Sequence, residues 1–292
     1  MKSRTWLVIP AVAALLSAAC QSAQTQPVQR PQVVAVPQEE VPQPTVSGYP
    51  AQGDTTPPMQ APAPEPGTGS KRLSYNSCNV EGPYVALTFD DGPHATLTPK
   101  LLDILKEKGV KATFFVLGQC VNANPEVLQR AAAEGHEIGN HSWDHKSFSK
   151  GGGAGVAAQV NQANAAIEAA IGKKPTIVRP PYGATNATIT KRLNEEFGMK
   201  VIMWDVDPLD WKVRNAAHVK EEIVKRAKPG SIILSHDIHP TTVAAMAETI
   251  DALKEKGFQF VTVSELLAMD RPLTAAATPT SPPAVAPAPV TR

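Results

Sequence analysis

An excess of charge of either sign is nearly absent from this chain. Over 292 residues, 28 Lys and Arg stand against 27 Asp and Glu, a formal net charge of +1. Such a balance gives no field to attract a polyanion, so neither nucleic acid nor an electrostatically held membrane surface is expected as a partner. Cysteine is scarce too, at 3 residues, too few for a disulfide-stapled scaffold. Long apolar runs are lacking as well. The run Trp6 to Leu16 falls short of the ~20 residues that a membrane-crossing helix needs.

What the two ends have in abundance is proline. Residues 21–70 hold 11 of the 28 prolines and residues 272–292 another 6, so both ends are poor core builders. Mixed with Gln, Ala, Thr and Gly, they read as extended, solvated segments. The expected organisation is a signal peptide over residues 1–20, a disordered Pro/Gln-rich linker over 21–75, a folded domain over 76–270 and a disordered Pro/Ala/Thr-rich tail over 271–292. The stretch between the ends has regular apolar periodicity and is long enough for one substantial core.

Lys2 and Arg4 ahead of the N-terminal apolar run, with Ser17-Ala18-Ala19-Cys20 behind it, form an export signal. Small residues running into a single cysteine resemble the lipobox of bacterial lipoproteins, which implies lipidation of Cys20 and a membrane-anchored, envelope-facing protein. Ser17 stands where that pattern usually has leucine, and ordinary cleavage to a secreted protein is the alternative. Gln21 after the cysteine favours the outer membrane in a Gram-negative envelope. A flexible spacer of this length reaches roughly 40 Å, at about 5 to 6 Å × √n. Export also permits a disulfide between Cys78 and Cys120. Nothing in the sequence specifies an oligomeric state.

Residues 84–89 form an apolar run too short for a helix and rich in β-formers, a buried strand. Leu101, Leu102, Ile104 and Leu105 then recur at helical spacing between Thr98-Pro99 and Gly109, which predicts a helix over 99–108. The alternation continues with strand 112–117, helix 125–134, strand 136–139, a loop carrying His141 and His145, and a helix within 156–171. Strand 176–179, helix 187–197, strand 200–205, helix 216–227, strand 231–235, helix 241–256, strand 259–263 and helix 264–269 complete it. Seven strand-helix units with continuously apolar strands indicate an α/β fold with a parallel sheet buried on both faces. A doubly wound open sheet and a closed or nearly closed barrel both fit that count. Polar residues separate the two, because Asp90 and Asp91, His141, Arg179, Asp207 and Asp210, and His236 each follow the carboxyl end of a different strand. A (β/α) barrel gathers such residues on its top face, whereas an open sheet has one switch point fed by fewer strands.

Thr88-Phe89-Asp90-Asp91-Gly92 ends the first strand in two adjacent carboxylates. They repel, so a fold that holds both at the mouth of a buried strand needs a compensating cation or arginine. His141-Ser142-Trp143-Asp144-His145 sets two imidazoles four residues apart, which one helical turn would put on the same face. With one carboxylate they make three metal ligands and leave a position for water. Such a pair alone arises by chance; beside Asp-Asp in one barrel it indicates a metal. Arg179-Pro180-Pro181-Tyr182-Gly183 supplies a guanidinium that could hold an aspartate ionised, although a surface turn fits the same residues. Asp207-Pro208-Leu209-Asp210-Trp211 adds carboxylates and an indole suited to a sugar ring, with a core tryptophan as the ordinary alternative. Leu234-Ser235-His236-Asp237 brings out a titratable group that would complete an acid/base set. His94, His136, His218 and His239 lack partners and read as structural or exposed, and Asp207 and Asp237 as braces within loops.

These five motifs, in this order, resemble those of the NodB-type polysaccharide deacetylases, carbohydrate esterase family four, over about residues 82–268. The resemblance implies a distorted (β/α) barrel, in line with the seven units counted above. It implies a metal-dependent N-deacetylase that hydrolyses the acetamide of N-acetylglucosamine units by attack of a metal-bound water. Asp91, His141 and His145 would be the metal ligands, with zinc expected and cobalt, nickel or manganese also used in the family. Asp90 would be the general base, partnered by Arg179, and His236 the general acid, oriented by Asp210. The backbone amide of Tyr182 would hold the oxyanion together with the metal, and Trp211 and Leu234 would wall the acetyl pocket. The expected substrate is an N-acetylated polysaccharide, peptidoglycan first because the domain is read as tethered within the envelope. A chitooligosaccharide or acetylated xylan is the alternative. A catalytically silent wall-binding lipoprotein would betray itself by a lost base or ligand, and Asp90, Asp91, His141, His145 and His236 are all present.

Overall fold

The computed structural model describes residues 72–150 and 152–271. The signal peptide with Cys20, the linker before residue 72 and the tail after residue 271 lie outside the described residues.

A two-residue strand, β1 (Ser74–Tyr75), lies just before the boundary read at residue 76. Seven strand-helix units follow. They are β2 (Tyr84–Asp90) with α1 (Leu97–Glu107), β3 (Thr113–Val116) with α2 (Gly118–Ala123) and α3 (Pro125–Ala133), and β4 (Glu137–Asn140) with α4 (Gly152–Ile171). Then come β5 (Ile177–Val178) with α5 (Ala187–Phe197), β6 (Lys200–Ile202) with α6 (Ala216–Arg226), β7 (Ile232–Ile233) with α7 (Pro240–Glu255), and β8 (Gln259–Phe260) with α8 (Val263–Ala268). Every strand pair is parallel. The strand order is β1-β6-β5-β4-β3-β2-β7, with β8 also on β2. Beyond β6, Val206 makes a parallel bridge to Ile233, so β7 is held from both sides. This is the distorted (β/α) barrel that the motifs imply.

Local chemistry sets the helix boundaries. Asn186 and Asn215 cap α5 and α6 by accepting from Ile189 N and His218 N, and Thr262 with Glu265 closes a capping box on α8. Proline opens α3 and α7, where its missing N–H costs nothing. No helix among the described residues is long and apolar enough to cross a membrane.

Side-chain alternation along the strands divides the core. In β2, Val85, Leu87 and Phe89 pack outward in one cluster with Leu101, Leu105, Met246 and Ile250. Ala86 packs inward with Phe115, Ile177, Ile202 and Ile232, over a floor of Tyr75, Val263 and Leu266. By the period of two, Thr88 and Asp90 face inward at successive levels above Ala86. Burying each large apolar side chain contributes roughly 1.5–3 kcal/mol. The interior below Thr88 is therefore mainly apolar, although Thr113 at the amino end of β3 is also buried.

Cys78 and Cys120 do not form the disulfide that the sequence permits; both are free. Cys78 lies at the entry to β7, its N–H donating to Gly230 O at 2.9 Å. Cys120 sits in α2, beyond the carboxyl end of β3. In a parallel barrel those positions are at opposite ends, and burial pushes the Cys78 thiol up to about 12. Several strands are shorter than their apolar runs suggest. Residues 203–205 and 234–235 leave the regular ladder at the mouth, where the backbone turns into the motif loops.

Candidate active site

Among the described residues, five non-glycine residues adopt left-handed backbone: Asp91, Ser142, His145, Tyr182 and Leu209, with φ from 55 to 76°. All lie in the loops that the motifs occupy. That conformation costs an L-residue about 1–2 kcal/mol, so the surrounding structure must impose it.

The two-histidine segment is a loop, as expected from its place after β4, but an irregular one without the helical turn that would align its imidazoles, and it is held by α4. Asn140, fully buried, accepts from Ser142 N at 2.6 Å and donates to Val160 O at 3.1 Å and Asn164 Oδ1 at 2.8 Å. Gln159 Oε1 accepts from Trp143 N at 2.9 Å and Asp144 N at 3.2 Å, and Ser142 Oγ accepts from His145 N at 3.0 Å. The imidazoles of His141 and His145 are thereby brought to 5.0 Å between ring centroids.

His141 Nδ1 lies 2.7 Å from Arg179 O. A carbonyl can only accept, so Nδ1 carries the proton and Nε2 keeps its lone pair. Burial, against the pull of Asp91, holds this imidazole down to about 3, which keeps it neutral. Its Nε2 and that of His145 each stand 3.5 Å from Asp91 Oδ1. That carboxylate oxygen is buried without a hydrogen-bond partner. The three donor atoms lie within 4.8 Å of one another. An orphaned carboxylate oxygen facing two imidazole nitrogens, one of them the free Nε2 of His141, fits a divalent cation.

Asp90 behaves differently from its neighbour. It is 2% exposed, and its Oδ1 accepts from Arg179 Nη1 at 2.6 Å. Arg179 is wholly buried. It also donates to Thr88 Oγ1 at 2.8 Å, Ile202 O at 3.2 Å and Met203 O at 3.0 Å, and lies 4.1 Å above the Phe115 ring. Burial raises Asp90 above the usual carboxylate range while the Arg179 charge opposes that rise. A carboxylate in this state is ionisable and basic, as a general base must be.

Across the mouth, His236 Nδ1 donates to Asp210 Oδ1 at 2.8 Å, and His236 N donates to Asp210 Oδ2 at the same distance. Thr242 Oγ1 completes the shell of Asp210 at 2.7 Å. Burial works against the imidazolium, but the bond to Asp210 and the charges of Asp210, Asp90 and Asp91 outweigh it and raise His236 to about 9. His239, read from sequence as structural or exposed, has its ring 5.7 Å from that of His236.

A cavity of about 430 Å³ joins these groups, lined by Asp90, Asp91, His141, His145, Tyr182, Trp211, Leu234 and His236, with Pro180, Trp204 and Asp207. Tyr182 and Trp211 stand out from the surface, 71% and 48% exposed, on its rim, whereas Leu234 is buried in its wall. Gly183 takes a left-handed φ of 62°, and a Cβ there would meet Met203 Cε at 2.9 Å and the Trp204 ring at 3.1 Å, so a side chain would be strained. Asp207 Oδ1 accepts from Leu209 N at 2.7 Å and braces the left-handed turn before Asp210. Trp204, Asn140 and Gln159 were not singled out in the sequence; Trp204 looked like part of a strand that in fact ends at Ile202. A larger depression of about 520 Å³ near Glu137, Lys173 and Lys174 lies at the amino ends of β4 and β5. It holds no converging set of ligands like that around Asp91.

The family profile for polysaccharide deacetylase matches residues 78–202. Peptidoglycan-N-acetylglucosamine deacetylase PgdA of Listeria monocytogenes is 47% identical over 182 residues, covering 62% of this chain and 38% of that protein. The chain thus spans well under half the length of that relative. Chitooligosaccharide deacetylase of Sinorhizobium fredii is 38% identical over 191 residues, covering 60% of this chain and 88% of that protein. Among solved structures, T48 deacetylase with substrate is similar at a TM-score of 0.62 and 43% identity, covering 65% of this chain and 93% of that one.

Proposed function

Because the chain belongs to the polysaccharide deacetylase family, we propose that it hydrolyses the acetamide of N-acetylglucosamine units in peptidoglycan. The observation that carries this reading is the divided state of two adjacent carboxylates. Asp91 Oδ1 is orphaned before two imidazoles, while Asp90 is bonded to Arg179.

Asp91, His141 and His145 would hold the divalent ion, for which two nitrogens and one carboxylate oxygen suit zinc, with cobalt, nickel and manganese as alternatives. When bound, such an ion supplies a positive charge that lowers the pKa of water and polarises an amide carbonyl. Asp90 takes a proton from the attacking water, and the fixed charge of Arg179 beneath it keeps it ionised and oriented. The amide of Tyr182, in its left-handed turn, would donate to the oxygen on which negative charge develops. His236 gives its Nε2 proton to the departing amine, and Asp210 holds the ring in the required tautomer. Leu234 and Trp211 enclose the acetyl methyl, and the exposed faces of Tyr182 and Trp211 support neighbouring sugars.

A general acid must be protonated, so activity is expected to fall as pH rises through the value of His236, about 9 in this site. Asp210→Asn removes the charge that helps raise it but leaves the burial that lowers it. The alkaline limb of the kcat profile should move to lower pH by at least one unit; an unmoved limb would exclude His236 as the acid.

The same reading puts the enzyme outside the cytoplasm with a lipid on Cys20, supported by the Lys2 to Cys20 pattern alone. Palmitate labelling that persists in Cys20→Ala would overturn that anchor. The substrate is tested by acetate release from purified peptidoglycan, chitooligosaccharides and acetylated xylan side by side. Peptidoglycan is expected to be fastest, and a preference for the xylan ester would contradict the proposal.

A further inference from the structure

Asp237 follows the proposed acid in sequence but does not line the cavity. It is fully buried. Thr98 Oγ1 donates to its Oδ2, and Thr98, buried in turn, accepts from His94 N at 2.7 Å. Its Oδ1 has no hydrogen-bond partner, which is rare for a buried carboxylate. The carboxylate lies against Gly92, where a Cβ would come under 3.0 Å from both oxygens. On the side of β3, Gly92 O accepts from Leu117 N at 3.0 Å, and Asp91 N donates to Phe115 O at 3.2 Å. The Asp91-Gly92 turn is therefore gripped between the end of β3 and Asp237. Asp91 within it has a φ of 76°, a conformation that its surroundings must maintain.

We propose that Asp237 is a positioning residue. With Thr98 it braces the Asp91-Gly92 turn so that Asp91 Oδ1 stays opposite the imidazoles of His141 and His145. Because His236 is its chain neighbour, the same brace ties the proton-donating side of the cavity to the cation-binding side. Three segments meet at this one carboxylate: the loop after β2, the start of α1 and the loop after β7. The inference rests on the cation site proposed above.

The test is a titration of the full chain with cobalt(II), whose visible absorption reports ligand geometry, alongside kcat and KM. Asp237→Ala is expected to weaken cobalt affinity by about 10- to 100-fold, as loss of groups that orient metal ligands does. It should also shift the absorption bands and lower kcat more than it raises KM. Asp237→Asn keeps an acceptor for Thr98 and the bulk against Gly92, and should retain most of the affinity. Thr98→Val should move in the direction of Asp237→Ala with a smaller loss. A thermal stability loss with unchanged cobalt spectrum and affinity would reduce Asp237 to a structural part and overturn the proposal, as would equal losses in the Asn and Ala variants. If Asp237→Ala does not fold, Thr98→Val decides, and unchanged cobalt binding there overturns the brace. Wild-type protein that neither binds cobalt nor releases acetate would overturn the proposed function itself, and the brace with it.

Discussion

Asp90→Asn is expected to lower kcat by about 10²- to 10⁴-fold, the usual contribution of a positioned general base, and to leave cation binding intact. The amide has nearly the shape of the carboxylate and can still accept from Arg179 through Oδ1, so the barrel mouth should keep its geometry. What it cannot do is take a proton. Cobalt titration separates the two roles, because Asp90 Oδ2 also lies 3.7 Å from His141 Nε2. A variant that loses the ion together with activity would make Asp90 a ligand rather than a base. Full acetate release would remove it from the mechanism altogether.

The largest stability effect is expected at Arg179. Its guanidinium is fully buried, and Arg179→Met withdraws the donors that serve Asp90, Thr88 and two backbone carbonyls. Removing one member of a buried ion pair costs about 3–5 kcal/mol, because the remaining charge is left in a dry site. Set against the 5–15 kcal/mol typical of a whole domain, that loss should show as a large fall in the urea midpoint. Adding Asp90→Asn to Arg179→Met removes the stranded charge and should recover part of the loss. A single variant as stable as the wild type, or a double variant whose losses simply add, would mean that the two groups are not coupled as the 2.6 Å contact indicates.

Much of the architecture was legible because it depends on patterns a sequence carries directly. Continuous apolar strands alternating with helices bounded by proline and glycine marked out all seven units, and Asp90, His141, Arg179 and His236 stood at strand ends. Elements without such a signature were not foreseen. β1 has two residues and α2 has six, too short for any periodicity. His141 and His145 were placed on a loop, but spacing alone cannot report Ser142 and His145 in the left-handed region, nor the hold of Asn140 and Gln159 that aligns the imidazoles without a helical turn. Thr98 and Asp237 meet across 139 positions of chain, a contact that no local pattern encodes. The pairing of Cys78 with Cys120 was plausible only while their places at opposite ends of the barrel were unknown.

The division between Asp90 and Asp91 is the centre of the proposed chemistry, and it depends on a cation at Asp91, His141 and His145. The most direct measurement is acetate release from purified peptidoglycan by one preparation as isolated, after chelation and after zinc is restored, with His141→Ala beside it. Expected is release that falls to the buffer level on chelation, returns with zinc, and is absent in His141→Ala under every condition. Undiminished release after the ion has been removed, or full release by His141→Ala, would contradict it.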